Sequence, residues 1–574
     1  MIKNLDIHAL ERMRIRLNRL YGPSQVEHLL ERMVALVGRY GVGLEGFSDA
    51  DPWDETSAVL ITYGDMIQAE GEAPLAVLKR FSDRHLSGAI NTVHILPFCP
   101  YSSDDGFSVI DYRLVDPKLG NWADVEELGH GFRLMYDLVL NHCSRKSKWF
   151  ADFVNHIAPY RDFFIEADPE EDLSAVTRPR ALPLLTPVHT QHGDTHVWTT
   201  FSDDQMDLNF ANPDVLFEFL DILLFYVAKG ATIVRLDAIA YLWKRIGTSC
   251  IHLEQTHEVV KLMRDLLDMV APEVVLLTET NVPHEENISY FGDGDEAHMV
   301  YQFSLPPLLL HGLINGDSTY LTNWAASLNE LPAKCTYFNF TASHDGVGVR
   351  PLQGIVPNEE LMKLAARMKE LGGHVSMKAN ADGTESPYEM NITYFDALGD
   401  DPNTVTDAHL ARFLCSQTVA MALRGVPALY FHSLTATRNN LAGVEETGRA
   451  RTINRLKWNE AELEEKLADA STPAARAMKE LTRRLACRSQ HKVFHPDAAQ
   501  TVVNLGSEWF ALEREWDDER VVCVSNFSDQ YQELLIDDRL YRLNRCDACH
   551  DLLSGRRYMG DGKVVPFEPY QTVW

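Results

Sequence analysis

The chain has 574 residues, 45% of them hydrophobic and 24% charged, and its formal net charge is −30. This composition is typical of a globular protein, and the length predicts one large domain with one or two smaller ones. The negative charge disfavours nucleic acid and anionic membranes as partners, and an anionic ligand would need a local group of arginine or lysine side chains.

The apolar segments predict neither an export signal nor a membrane span. Residues 1–22 are charged and periodic and lack the uninterrupted apolar stretch of a secretory signal. The most apolar segment, 215–234, contains Glu218, Asp221 and Lys229, so we predict a buried helix followed by a strand. Nine cysteines, an odd number spread along the chain, are typical of reduced thiols. We therefore expect a cytoplasmic protein.

Apolar runs rich in β-branched residues alternate with amphipathic helical patterns along most of the chain. Helical spacing is clearest at 73–86, 212–230, 254–272 and 407–425. An eightfold β-then-α alternation predicts an α/β fold, a (β/α)8 TIM barrel, whose chemistry lies at the carboxyl ends of the strands. The eight predicted strands are 57–65, 91–98, 132–141, 231–238, 273–280, 298–306, 335–343 and 426–433.

Several of these strands end in a polar residue. Asp237 and Glu279 each close an apolar run, and Asp345 follows a third one. A lone carboxylate at such a position costs several kcal/mol if it is buried without a partner, so we predict that the three acids share one cleft. A pair of carboxyl groups across a cleft is the equipment of sugar transfer.

Two long segments interrupt the alternation and predict inserted loop domains, and the last part of the chain changes to short alternating strands typical of an antiparallel β domain. We predict the following parts: a helical N-terminal extension (1–50), the first part of the barrel (51–145), an inserted domain B (146–205), the middle of the barrel (206–345), an inserted region B′ (346–405), the last part of the barrel (406–489) and a C-terminal β domain (490–574).

Four segments together carry a resemblance to a known family. DLVLNHCS (137–144), IVRLDAIAY (233–241), LLTETN (276–281) and ASHDG (342–346) stand in the order of the four signature regions of the α-amylase family, glycoside hydrolase family 13. LPFCPYSSDDGFSVIDY, RPRALPLLTP and RTINR resemble the sucrose phosphorylase subfamily. GTSCIHLEQTH and the long segment from residue 278 to 308 resemble the glucosylglycerate phosphorylase branch of that subfamily.

The resemblance implies a retaining mechanism in which Asp237 is the nucleophile and Glu279 the general acid and base. It implies that Asp345 and His344 hold glucose hydroxyl groups and favour the distorted transition state. Arg235 lies two residues before Asp237, so both side chains leave the strand on the same face. A guanidinium there would keep Asp237 ionised.

The same resemblance implies a closed pocket for one glucosyl unit. Asp104 and Arg455 would bind the far hydroxyl groups of the sugar, Phe107 would form an apolar platform, and His142 would hydrogen-bond another hydroxyl. Further wall residues implied by the match are Phe201, Gln205 and Tyr241. Such a pocket would admit one sugar and exclude polymers.

Phosphorolysis and hydrolysis differ in the molecule that accepts the glucosyl unit, which is phosphate in the first and water in the second. Arg178 and Arg180 stand in RPR, and guanidinium groups suit phosphate or carboxylate. The resemblance favours Arg180 for phosphate. The loop after the seventh strand reads VRPLQG, unlike sucrose phosphorylases, which makes Arg350 and Gln353 candidates for binding the acceptor.

The expected reaction is the reversible phosphorolysis of 2-O-α-glucosyl-D-glycerate to α-glucose 1-phosphate and D-glycerate. Alternatives are sucrose, sucrose 6′-phosphate or glucosylglycerol as substrate, a hydrolase or transglucosidase with the same acids, and a non-catalytic binding subunit. We expect no cofactor besides inorganic phosphate as co-substrate. We also expect no catalytic metal, despite the H-x-x-H-x-x-x-H spacing at residues 189–196. The expected partners are small sugars and phosphate. We expect the protein to be a monomer or a homodimer.

Overall fold

Eight parallel strands close into a barrel in the computed structural model, which describes residues 7–43, 51–179, 182–328, 330–379, 385–536, 538–540, 548–559 and 564–574. The first strand pairs with both the second and the eighth, which closes the ring. All eight predicted strands are present, so the predicted barrel is confirmed. They are β1 (Val59–Thr62), β2 (Thr92–Ile95), β3 (Arg133–Val139), β4 (Ala231–Asp237), β5 (Val275–Thr278), β6 (Met299–Tyr301), β7 (Thr336–Phe340) and β8 (Val426–Tyr430).

The register between the strands decides which side chains meet inside the barrel. On β4, Val234 and Leu236 are fully buried, and Arg235 and Asp237 alternate with them. Arg235 lies opposite Asp137 of β3, and Asp237 lies opposite Val139. Because β3, β4 and β5 are neighbours, the acids at their ends lie around one guanidinium.

Amphipathic helices cover the outside of the barrel. The helix Pro213–Ala228 begins with Asn212 as its cap, which accepts a hydrogen bond from the Asp214 N–H, and its first residue is proline. Among the described residues, none of the helices is long and apolar enough for a bilayer crossing. The principal helices of this layer are Pro74–His85, Trp122–Gly129, Pro213–Ala228, Glu254–Val270, Leu305–Asn315, Thr319–Ser327, Asp407–Ala422 and Pro473–Arg488.

Two groups of extra elements follow strand ends on the side of the barrel where β4 ends in Asp237. Between β3 and β4, strand His142–Ser144 pairs with Gln205–Asp207, and Leu185–Thr190 forms a hairpin with Gly193–Trp198. Between β7 and β8 lie the helix Asn358–Glu370 and a hairpin of His374–Ala379 and Glu385–Asn391. Both groups supply residues to the cavity described below.

The last part of the chain forms antiparallel sheets. A four-stranded sheet has the order Ala499–Val503, Trp509–Trp516, Glu519–Asn526, Thr572–Val573. The side chain of Arg514 from this sheet is fully buried and donates hydrogen bonds to the carbonyl oxygens of Ala422 and His495, both at 2.8 Å. These bonds join the sheet to the helix that precedes β8.

Two N-terminal helices, Ile7–Tyr21 and Val26–Leu36, pack on the barrel helices through an apolar stripe and a row of ion pairs. Arg16 is buried and lies 2.8 Å from Asp295 and 3.5 Å from Glu258. Arg12 and Arg19 pair with further acids of the same surface at 2.5 and 2.6 Å.

We expect the substitution Arg16→Ala to lower the free energy of unfolding by about 2 kcal/mol, because the buried Glu258 and Asp265 each lose one of their two cations. Thermal unfolding measures the change. The matched control is Arg14→Ala on the exposed face of the same helix, where Arg14 pairs with Glu11. Equal Tm values for the two variants would show that the buried ion pairs do not hold the extension.

Candidate active site

The centre of the site is the guanidinium of Arg235, which is buried among three carboxylates. It donates a hydrogen bond to Asp237 at 2.6 Å and a second one to Asp137. Its other terminal nitrogen lies 3.9 Å from Glu279. One buried charge therefore holds the predicted nucleophile and the predicted acid beside each other.

Glu279 follows β5 directly, and the backbone after Asp237 turns to meet it. Ala238 has a φ of 49°, in the left-handed region that few non-glycine residues adopt. Its N–H donates a hydrogen bond to Glu279 Oε2 at 3.0 Å. The carboxyl group of Glu279 thus contacts the backbone of the residue next to Asp237, which places the two acids close together, as expected for a retaining pair about 5 Å apart.

Burial raises the pKa of both acids. At Glu279, Arg235 opposes the rise and Asp345 adds to it. At Asp237 the pKa is raised to about 8, with Arg235 opposing the rise and Glu279 adding to it. Neighbouring carboxyl groups in one buried site do not both ionise easily, so they titrate as a pair. Because Arg235 hydrogen-bonds Asp237 and is farther from Glu279, this geometry favours an ionised Asp237 and a protonated Glu279.

Asp345 lies in the loop after β7, beside two arginines and a histidine. Arg451 approaches it at 2.6 Å, and Arg455 and His344 each approach it at 3.5 Å. Although burial opposes ionisation, Arg451, His344 and Arg455 hold the pKa of Asp345 well below its usual range. The Asp345 carboxylate is therefore charged in the folded protein near neutral pH.

The turn of residues 104–107 forms another wall. Gly106 has a φ of +112°, and a Cβ there would lie 2.5 Å from the Pro97 carbonyl oxygen, so the turn needs glycine. The ring of Phe107 stacks on His344 at 4.6 Å between centroids. Asp104 lies 3.9 Å from Arg455, and Arg455 donates to the His344 carbonyl oxygen at 2.8 Å.

His142 and Gln205 meet on the small sheet that follows β3. The Gln205 amide nitrogen lies 3.1 Å from His142 Nε2, and the same ring nitrogen lies 2.9 Å from the Phe107 carbonyl oxygen. Burial lowers the pKa of His142 to about 4 and that of His344 to about 3, so both rings are neutral at pH 7. Neutral imidazoles suit hydrogen bonds to sugar hydroxyl groups.

These groups surround one cavity of about 1050 Å³. The structure therefore brings most of the predicted residues together. Arg235 and Arg455 lie behind the wall and hold the acids that line it. The predicted residues that line the cavity are Asp104, Phe107, His142, Arg178, Phe201, Gln205, Asp237, Tyr241, Glu279, His344 and Asp345.

The residues predicted for the acceptor are placed less uniformly. Arg178 lines the cavity, whereas Arg180 lies outside the described residues. Arg350 does not line the cavity; it lies near Tyr241 and 3.6 Å from Glu286. Gln353 is exposed and does not line the cavity, because the 3-10 turn Arg350–Leu352 buries its own apolar residues and directs the next one outward.

Known proteins are similar to this chain in sequence and in fold. A family model for the catalytic domain of α-amylase matches residues 89–346. The glucosylglycerate phosphorylase of Spirochaeta thermophila is 48% identical over 93% of this chain and 92% of its own length. That of Escherichia coli K12 is 45% identical over 91% and 92%. The chain belongs to the glucosylglycerate phosphorylase branch of the α-amylase family.

A solved structure extends the comparison to the fold. The sucrose 6F-phosphate phosphorylase from Thermoanaerobacter thermosaccharolyticum superposes with a TM-score of 0.72 at 25% identity, over 82% of this chain and 94% of that one. The family expected from the four signature segments is therefore confirmed, and with it the assignment of the chain to the enzymes.

The site also contains residues that were not predicted from the sequence. Arg451 holds Asp345 and also lies 3.1 Å from Glu389. Arg451 stands four residues before Arg455 in RTINR, so the same motif could have identified it. Lys378, Tyr388 and Glu389 come from the hairpin between β7 and β8, where nothing in the sequence indicated a contact with the cavity.

The predicted roles of the two acids can be separated by chemical rescue. With α-glucosyl fluoride and azide, we expect Asp237→Gly to give β-glucosyl azide, because azide takes the place of the nucleophile. We expect Glu279→Ala to give α-glucosyl azide, because the covalent intermediate still forms. NMR of the products identifies the anomer. The same anomer from both variants would contradict these roles.

The raised pKa of Glu279 predicts an alkaline limb in the rate profile. The acid must carry a proton to release a poor leaving group, so kcat/KM falls as the pH rises through this pKa. The fall should lie above the usual range of glutamate. With α-glucosyl fluoride, whose leaving group needs no proton, the limb should disappear. Identical limbs for both donors would show that Glu279 is not the acid.

Proposed function

We propose that this protein catalyses the reversible phosphorolysis of 2-O-α-glucosyl-D-glycerate to α-glucose 1-phosphate and D-glycerate, with retention at the anomeric carbon. The observation that carries the proposal is the 48% identity to a glucosylglycerate phosphorylase along nearly the whole chain, together with the Asp237–Arg235–Glu279 arrangement. Inorganic phosphate is the co-substrate, and no other cofactor enters the reaction.

In the first half-reaction, Asp237 attacks the anomeric carbon of the glucosyl donor. The bond to the oxygen of glycerate breaks, and Glu279 gives its proton to that oxygen. The product is a β-glucosyl ester of Asp237 and an ionised Glu279. Arg235 remains hydrogen-bonded to the site throughout, because it is fixed by the buried Asp137.

In the second half-reaction, an oxygen of monohydrogen phosphate attacks the anomeric carbon of the glucosyl ester from the face opposite Asp237. Its proton passes to Glu279, Asp237 leaves as a carboxylate, and α-glucose 1-phosphate forms. Protons and charges balance, so each turnover returns the same enzyme. The ionised Asp345 stabilises the positive charge that develops on the sugar in both steps.

The charge distribution of the cavity supports phosphate over water as the second substrate. When phosphate enters, Asp237 is esterified, and the ionised Glu279 and Asp345 on the floor repel a phosphate dianion by about 4 kcal/mol for each charge pair at 4 Å. Arg178 lines the same cavity and offsets this repulsion with a guanidinium. Water is neutral and gains nothing from that arginine.

The remaining expectations about the protein are proposals of the same kind. We propose that it acts in the cytoplasm as a monomer or homodimer on small molecules. In support, the eight cysteines within the described parts of the chain are free thiols. The net charge of −30 supports small-molecule substrates over polyanions.

The direct test incubates the enzyme with glucosylglycerate, sucrose, sucrose 6′-phosphate and glucosylglycerol, with and without phosphate. We expect glucose 1-phosphate only when phosphate is present, and the highest kcat/KM with glucosylglycerate. Release of glucose without phosphate would identify a hydrolase, and a preference for sucrose would identify the rival phosphorylase.

The role of Arg178 has its own measurement. We expect Arg178→Ala to raise the KM for phosphate about tenfold or more, because a hydrogen bond to a charged group is worth roughly 1.5–3 kcal/mol. The matched control is Arg161→Ala, since Arg161 is largely exposed in the same inserted segment and pairs with Asp162. An unchanged KM in Arg178→Ala would remove Arg178 from the phosphate site.

A further inference from the structure

The hairpin between β7 and β8 forms one wall of the cavity. Its strands His374–Ala379 and Glu385–Asn391 pair in antiparallel register, with an irregularity between Ser376 and Met377. At this bulge Tyr388 lies between two register pairs, Ser376 with Glu389 and Met377 with Pro387. A bulge redirects side chains, and Ser376, Met377 and Tyr388 all line the cavity.

The hairpin is attached to the catalytic loop. Glu389 accepts a hydrogen bond from the Gly346 N–H at 2.8 Å, directly after Asp345. Glu389 also pairs with Arg451, which in turn holds Asp345. The short strand Val347–Gly348 continues the hairpin sheet by pairing with Met390 and Glu389. The wall is therefore held at a defined position relative to the catalytic acids.

Lys378 brings an additional positive charge to this wall. Its side chain is exposed at the cavity, and it has no ion-pair partner among the described residues. The acid of the hairpin wall, Glu389, is already neutralised by Arg451. Arg178, which also lines the cavity, comes from a different insertion. The third cation of the lining, Arg451, is paired with Asp345 and Glu389, whereas Arg178 and Lys378 are exposed.

Phosphate and glycerate, the two anions of the proposed reaction, hold their charged oxygens at different distances from the sugar. The peripheral oxygens of phosphate lie two bonds from the oxygen that joins the sugar. The carboxylate oxygens of glycerate lie three bonds from that oxygen, so they extend farther toward the rim. A flexible lysine on the outer wall suits the more distant charge, and an ammonium binds a carboxylate as a point charge.

We propose that Lys378 is a specificity residue that binds the carboxylate of the acid acceptor. This inference rests on the proposed function, since it assigns the recognition of glycerate within the same cavity. A neutral acceptor such as glycerol would gain nothing from this lysine, so Lys378 would make the enzyme prefer glycerate to glycerol.

The test measures glucosyl transfer from α-glucose 1-phosphate to D-glycerate by the full-length enzyme and its variants. We expect Lys378→Gln to lower kcat/KM for glycerate at least tenfold, and Lys378→Arg to retain most of it. Hydrolysis of α-glucosyl fluoride, which needs neither anion, should stay within twofold in both variants and shows that the donor site is intact. The matched control is Lys369→Gln, an exposed lysine on the helix Asn358–Glu370 outside the cavity wall.

The outcomes separate this inference from the proposed function. If the unmodified enzyme transfers no glucose to glycerate, the proposed function fails. If it does so and Lys378→Gln retains the same kcat/KM for glycerate, only the inference about Lys378 fails. If the KM for phosphate in Lys378→Gln rises as much as the KM for glycerate, Lys378 is a general anion site and the assignment to the carboxylate is overturned.

Discussion

The chemistry of this protein depends on one buried cation. Arg235 lies inside the barrel between Asp137, Asp237 and Glu279. Burying carboxylates together is costly unless a cation with hydrogen bonds compensates them. The guanidinium does so unequally, since it bonds Asp237 directly and only approaches Glu279. This asymmetry suits the proposed roles, with Asp237 as the nucleophile and Glu279 as the proton donor.

The site divides its charges between two kinds of structure. Barrel strands and the loops directly after them supply the acids, whose proposed role in forming and breaking bonds to carbon needs a rigid support. The insertions after β3 and β7 supply Arg178 and Lys378, which line the cavity and are proposed to bind the anionic substrates. The arrangement keeps a cavity inside a strongly negative protein accessible to anions, because the local cations act at short range where the distant charges are screened.

Predictions from the sequence agree best with the structure where they depended on a few neighbouring residues. β4 and β5 were found because apolar runs ended in single acids, and the register then placed those acids together. Arg451 was missed because a charged residue in a loop looks like any solvated arginine until its partner Asp345 is known. Gln353 was selected from a loop whose direction depends on a buried 3-10 turn, and the structure points it away from the cavity.

The sequence by itself determined the barrel, the order of its strands and the three acids at their ends. Strand period and strand termination are properties of a few neighbouring residues, so they can be read without knowing the rest of the chain. Only the tertiary structure decided which cations meet those acids and which walls complete the cavity. Arg451 lies more than 100 residues from Asp345 in the chain, and Lys378 reaches the site through a bulged hairpin. Contacts between such distant segments arise from packing, which no local pattern encodes.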